Sequence, residues 1–102
     1  MLIQEVTTDL PAPDVIRRAR EWFTLRMTQY GGFTEEADGQ HVKFGTEAGE
    51  LVIGTSASDD GRTLVRGSTS RMHHELSQFL ATLAPPSEVR QNLDGPGVSG
   101  AG

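Results

Sequence analysis

Three groups of residues in this chain have side chains that could do chemistry. His73-His74-Glu75 has the residue types of a helical zinc-protease site. That site needs a second histidine one turn after the first, with the glutamate next to the first. Counting from His74, the required position holds Gln78, so the motif fails. Adjacent helical histidines also diverge by about 100° and cannot easily share one metal. His41 could join them only through the tertiary structure, so the pair reads as solvent-facing residues of a first helical turn.

The second group is Gly67-Ser68-Thr69-Ser70, set between Arg66 and Arg71 just before an expected helix. Backbone N–H groups at a helix start attract anions, and two arginines would help. Arg66, Ser68, Ser70 and Arg71 are therefore a candidate set for phosphate, sulfate or a partner's carboxylate. The spacing is not that of a phosphate-binding loop, and no lysine follows the glycine. The plainer reading is a strand-to-helix turn with a capping segment. The third group, Glu35-Glu36, falls on a strand, where neighbours point to opposite faces. The two carboxylates are poorly placed for paired acid–base work and read as solubilising charges. Asp59 and Asp60 belong to a turn. No Ser-His-Asp or Cys-His arrangement has support, and no serine sits in a Gly-x-Ser-x-Gly elbow. The chain reads as a non-enzyme without cofactor or metal.

Composition narrows the classes further. The chain has 102 residues, enough for one domain. A domain of that size buries roughly 60–65% of its unfolded surface, so its core is small. There are no cysteines, hence no disulfide and no thiolate chemistry. Apolar runs such as Leu51-Val52-Ile53 fall far short of the roughly 20 residues a spanning helix needs, and the N-terminus lacks the basic and apolar regions of a signal peptide. A cytoplasmic location is expected. Lys43 and the arginines, nine basic residues, face fourteen acids for a net charge of −5. That balance argues against nucleic acid, which needs a basic surface to displace counterions. Arginine dominance suits bidentate pairing with a partner's carboxylates, although a GC-rich coding sequence gives the same bias.

The order of periods supplies the elements. Residues 2–8 are rich in β-branched types and stop at Asp9-Leu10-Pro11. Apolar residues at 15, 16, 19, 22, 23, 27 and 30 follow the spacing of an amphipathic helix, opened by Pro13 and Asp14 and closed by Gly31-Gly32. Ile16, Ala19, Phe23, Met27 and Tyr30 should face the sheet, with Trp22 on the flank. Four short strands follow. Residues 33–37 and 40–46 are joined by Asp38-Gly39, the signature of a type I′ hairpin. Residues 50–58 and 62–68 are joined by Asp59-Asp60-Gly61. A last helix should start after Ser70 as N-cap, carry the stripe Met72, Leu76, Phe79, Leu80 and Leu83, and stop at Pro85-Pro86. The expected class is α+β, in the order β-α-β-β-β-β-α. One mainly antiparallel sheet carries both helices on one face. Residues 1–86 form the compact domain and 87–102 a glycine-rich tail.

Alternation then assigns an outer face. His41, Lys43, Gly45, Val52, Gly54 and Ser56 should point away from the helices, with either the Leu64 or the Val65 parity of the last strand. Water-facing sheets usually carry more charge or threonine, and strand glycines often mark close approach by another group. This face is a candidate docking surface. Arg17 and Arg18, with Arg20 and Arg26, put a basic stripe on the first helix that could grip an acidic protein or anionic headgroups. Leu93 and Val98 are the apolar residues a tail could lay along a partner.

The element order, with Asp9-Leu10-Pro11-Ala12-Pro13-Asp14-Val15 opening the first helix, resembles a minimal helix-grip or TATA-binding-protein-like unit. The strand followed by Pro13 is similar to the start of polyketide cyclase/START-type domains, and residues 76–83 are similar to their C-terminal helix. The resemblance covers roughly residues 2–84 and carries over no functional residue. It implies a ligand chamber, yet this chain lacks the extra elements that would wall one. The TATA-binding proteins use a basic sheet face, which this acidic chain also lacks. The first expectation is therefore a non-enzymatic interaction module. It would be an accessory or stabilising subunit of a larger assembly, a homodimer, or a peripheral partner of a membrane complex. Its tail would act as a clamp whose removal leaves the fold intact. The second is a carrier of a small hydrophobic ligand, or a cyclase-like domain, with a cavity lined by Phe23, Phe44, Ile53 and Phe79.

Overall fold

The structure, a computed structural model, describes residues 2–27, 34–47 and 49–93. Its elements are β1 (Leu2–Thr8), α1 (Ala12–Met27), β2 (Thr34–Ala37), β3 (His41–Thr46), β4 (Gly49–Ala57), β5 (Thr63–Thr69) and α2 (His73–Leu80). A 3-10 turn (Pro86–Glu88) leads to one further strand, β6 (Arg90–Leu93). The six strands form one sheet in the order β2-β3-β4-β5-β1-β6, antiparallel throughout. The expected α+β class and element order hold, with β6 added. Phe33, Gly31-Gly32, Tyr30 and Val98, named in the sequence reading, lie outside the described residues.

Two hairpin turns show different chemistry. At the β2–β3 turn, Asp38 N donates to the His41 carbonyl at 2.9 Å, and Asp38 Oδ1 accepts from the Gln40 and His41 N–H groups at 2.8 Å each. Neither Asp38 nor Gly39 is left-handed. The type I′ expectation therefore fails: the carboxylate supplies the acceptors and closes an Asx-type turn without positive φ. Between β4 and β5, Gly61 does adopt φ 83°, as a glycine can.

Helix α1 starts as Pro11's carbonyl accepts from Asp14 and Val15 N–H, at 2.9 and 3.1 Å. Its buried side is Val15, Ile16, Ala19 and Phe23, with Trp22 partly buried beside them. It lies over β3 and β4, while α2 lies over β1 and β5. Both helices thus cover one face of the sheet, and Val42, Phe44, Leu51, Ile53 and Val65 rise from that face into the core. Phe23 is the hub: its ring centroid is 5.2 Å from both Phe44 and Phe79 and 4.8 Å from Trp22. Tilted and edge-on contacts of this kind suit the aromatic quadrupole.

The seat of α2 depends on two residues at the end of β5. A Cβ built on Gly67 would lie 2.3 Å from Leu76 Cδ1, so any larger residue there would force the buried Leu76 side chain out of its place against β5. The buried Thr69 hydroxyl donates to the Glu50 carbonyl at 2.8 Å and accepts from Met72 N–H at 3.0 Å and Arg71 N–H at 3.4 Å. Thr69 therefore takes the capping role expected of Ser70. Met72 is the N-cap position and contributes no side-chain cap. Nor does Pro85-Pro86 stop the helix. It ends at Leu80, where Thr82 and Leu83 N–H bond three residues back and the Thr82 hydroxyl donates to Phe79's carbonyl at 2.6 Å.

The segment after Pro86 is not all tail. β6 pairs along β1 from Leu2↔Leu93 to Glu5↔Arg90. Side chains fix that register on both faces. On the inner face the buried Gln4 donates to Gln91 Oε1 at 3.0 Å and accepts from the Ser77 hydroxyl at 2.9 Å. On the outer face Arg90 reaches Glu5. Removing β6 would strand the buried Gln4 amide, at a cost of about 1–3 kcal/mol. Truncation after Pro86 should therefore lower stability by about that amount in urea unfolding. An unchanged midpoint would contradict the structural role given to β6. Gly67→Ala should cost about 1–3 kcal/mol by overpacking, and the loss should shrink in a Leu76→Ala background, where the added methyl has room. Equal losses in both backgrounds would refute the close contact.

Candidate functional site

The antiparallel register writes out the sheet's outer face row by row. One row runs Glu36, Lys43, Val52, Ser68, Ile3. The next runs His41, Gly54, Arg66, Glu5, Arg90. A third holds Ser56, Leu64 and Thr7. No described helix covers these side chains, and Ile3, Val52 and Leu64 are left half-buried. The parity of β5 is thereby settled: Leu64 faces out and Val65 in.

Glu5 is the electrostatic centre of this face. Its side chain is only 13% exposed, and it is gripped from both sides. Arg66 donates from Nε and Nη2 to Oε2 at 3.1 and 2.9 Å, and Arg90 donates from Nε and Nη2 to Oε1 at 3.4 and 3.2 Å. Burial alone would raise the Glu5 pKa. The hydrogen bonds and charges of the two arginines outweigh it and hold the carboxyl below its ordinary value. Two cations on one anion leave this row with a surplus positive charge, on a chain whose net charge is −5.

Beside the triad, Gly54 leaves a gap in the centre of the sheet. His41 fills part of it: a Cβ on Gly54 would meet His41 Cδ2 at 3.0 Å and Nε2 at 3.4 Å. The opposite ring nitrogen, Nδ1, lies 3.6 Å from Asp38 Oδ1. The Asp38 carboxyl is itself held below its ordinary value, first by the Gln40 N–H and then by that of His41. His41, Gly54, Ser56, Leu64 and Arg66 bound a depression of about 250 Å³.

Larger depressions flank α1. One of about 530 Å³ runs past Arg17, Arg20, Glu21 and Glu35, and one of about 300 Å³ lies between α1 and α2 beside Trp22, Arg26 and Phe79. Their charged residues are largely engaged with one another or with the fold. Arg17 pairs with Asp14 and Arg20 with Glu35, while Arg26 stacks 3.7 Å over Trp22 and donates to its carbonyl. Leu25, 75% exposed, forms the ridge shared by both depressions.

The residues singled out in the sequence separate as follows. His41, Lys43, Gly45, Val52, Gly54 and Ser56 share the outer face. Arg17 and Arg18 lie apart from them on exposed α1. Leu93 stands in β6 opposite Leu2. The four residues of the candidate anion set do not gather around one point. Arg66 stands opposite Gly54 and Arg71 packs against Gly49, five residues or roughly 16 Å away along β4. His73 and His74 are exposed, and no group of three His, Cys, Asp or Glu side chains among the described residues is close enough to hold a metal. No described helix is long and apolar enough to cross a membrane.

Sequence reading missed Ile3, Glu5 and Arg90 as members of the face. The alternation of β1, with Leu2, Gln4 and Val6 inward, carries the signal for the first two. Arg90 gives none, because its strand exists only through pairing. Compared with family models, curated proteins and solved structures, the chain matches none.

The triad makes a pH prediction. The folded Glu5 pKa lies below the unfolded one, so its ionised form stabilises the fold above about pH 4.5, and that contribution is lost as pH falls through the lower folded value. Glu5→Gln should thus be less stable than the parent at neutral pH, with the gap closing in acid. Carboxyl NMR should find Glu5 titrating below pH 4.5; a midpoint above it would rule out the grip described.

Proposed function

We propose that this chain is a non-enzymatic protein–protein interaction module, an accessory or stabilising subunit of a larger assembly or a homodimer, and that it docks through the outer face of its sheet. One observation carries the reading. The outer face sets half-buried Ile3, Val52 and Leu64 beside the Arg66–Glu5–Arg90 triad. Interfaces favour that pairing of aliphatic contact with arginines already held in place.

The carrier reading needs room between α2 and the sheet. Phe23, Phe44, Ile53 and Phe79, its would-be lining, are wholly buried, and the Phe23 ring packs on both Phe44 and Phe79. Their packing favours action through the surface. In this reading the chain is a minimal helix-grip-type unit whose chamber is filled by its own side chains. β6 belongs to the chain's own sheet, so any clamp formed by the C-terminal segment begins after Leu93.

Val52→Asp tests the reading. The site has no helix above it, so the variant should lose no more than about 1 kcal/mol of stability. The parent should run as a dimer, or with a stoichiometric partner from its source cells, in size-exclusion chromatography with light scattering. The variant should associate at least tenfold more weakly, equivalent to about 1.4 kcal/mol. A parent that stays monomeric and recovers no partner, or a variant that associates normally, would overturn the proposal.

A further inference from the structure

The geometry points to a carboxylate-binding subsite on the outer face, floored by Gly54 and flanked by His41 and Arg66, that receives an aspartate or glutamate side chain of the protein partner. The inference rests on the interaction reading above and names the chemistry of what docks. Arg66 uses Nε and Nη2 on Glu5, which leaves Nη1 without a partner among the described residues. In a guanidinium that nitrogen lies on the side away from the Nε–Nη2 fork. His41 turns Nδ1 toward Asp38 and extends Cδ2 and Nε2 over Gly54. Gly54 is the direct cross-strand neighbour of both His41 and Arg66. One free donor, Arg66 Nη1, therefore borders a gap that has no side chain of its own, and the His41 ring forms its other wall. The gap is the depression of about 250 Å³, room for a carboxylate and its methylenes, with Leu64 as an apolar wall.

Charge decides the occupant. Glu5 accounts for one of the two arginine charges in this row and the other is left over. Arg66 is anchored by Glu5, so binding an anion at Nη1 would require little further ordering of its side chain. A cationic group would meet Arg66 unfavourably, and a neutral amide would forgo the charge-assisted bond.

The full-length chain, labelled with ¹⁵N, would be titrated with acetyl-Leu-Glu-Leu-amide, with its Gln counterpart and with sodium acetate. The Glu peptide should move the Gly54 amide and His41 ring signals, and the Gln peptide should bind about tenfold more weakly. Arg66→Gln should cost a similar factor. Gly54→Ala, which pushes His41 aside while leaving the Arg66–Glu5 pair in place, should also abolish the response. Equal binding of the two peptides, or shifts confined to α1, would overturn the subsite. If acetate matches the Glu peptide, the pocket is a general carboxylate site and the assignment to a protein partner falls. If Val52→Asp abolishes association while Arg66→Gln and Gly54→Ala preserve it, the docking face stands and the subsite is refuted. If the Glu peptide binds as expected but Val52→Asp leaves association intact, the subsite stands and the docking face is refuted.

Discussion

The closeness of α2 to the sheet at Gly67 sets the arrangement of everything downstream. With a hydrogen in place of a methyl, Leu76 settles directly onto β5. That approach brings Ser77, one residue along the helix, to the buried Gln4 on β1. Gln4 passes its remaining amide bond to Gln91, which gives β6 an inner-face anchor. β6 in turn carries Arg90 to Glu5 on the other side of the sheet. A packing contact in the core is thus linked, through one satisfied amide and one short strand, to the charge pattern that a partner would meet. Buried polar groups are costly when left unpaired, so each link in this chain holds the next in register.

The two faces of the sheet divide the work. The inner face takes most of the buried apolar side chains and both helices, and Phe23, Phe44 and Phe79 are wholly buried there. The outer face carries three half-buried aliphatics and the arginine pair on Glu5 among glycine, serine, threonine, His41, Lys43 and Glu36. The sheet's edges are guarded differently. At one end β2 is only four residues long and bears Glu35 and Glu36, and short charged edges resist pairing with other chains. At the other end β6 covers the long β1.

How much of this could be read from the sequence depended on whether a feature was local. The amphipathic spacing of α1, the alternation of β3 and β4 and the aspartate-rich turns are local, and they placed the helices, the strands and six members of the outer face. Turn type was less legible. Asp38-Gly39 marked the bend, but the carboxylate's reach to two N–H groups removed any need for positive φ. The cap of α2 shifted from Ser70 to Thr69 because the preference depends on which hydroxyl the strand end turns inward, and both residues suit the role chemically. β6 was illegible: Arg90-Gln91-Asn92-Leu93 has no β-branched residue and no apolar alternation. Its strand character comes from Gln4 and Glu5, which lie more than eighty residues earlier in the chain.

β1 sits between two strands that come from the far half of the molecule. Val6 faces Val65, and Glu5 faces Arg66 on one side and Arg90 on the other. During synthesis, then, the earliest strand emerges with neither neighbour yet made, while β3 and β4 can zip together as soon as their turn is out. Closing such long loops is entropically expensive and tends to slow folding. The seam along β1 joins the most distant parts of the described chain, and β5 and β6 give that strand a neighbour on each side.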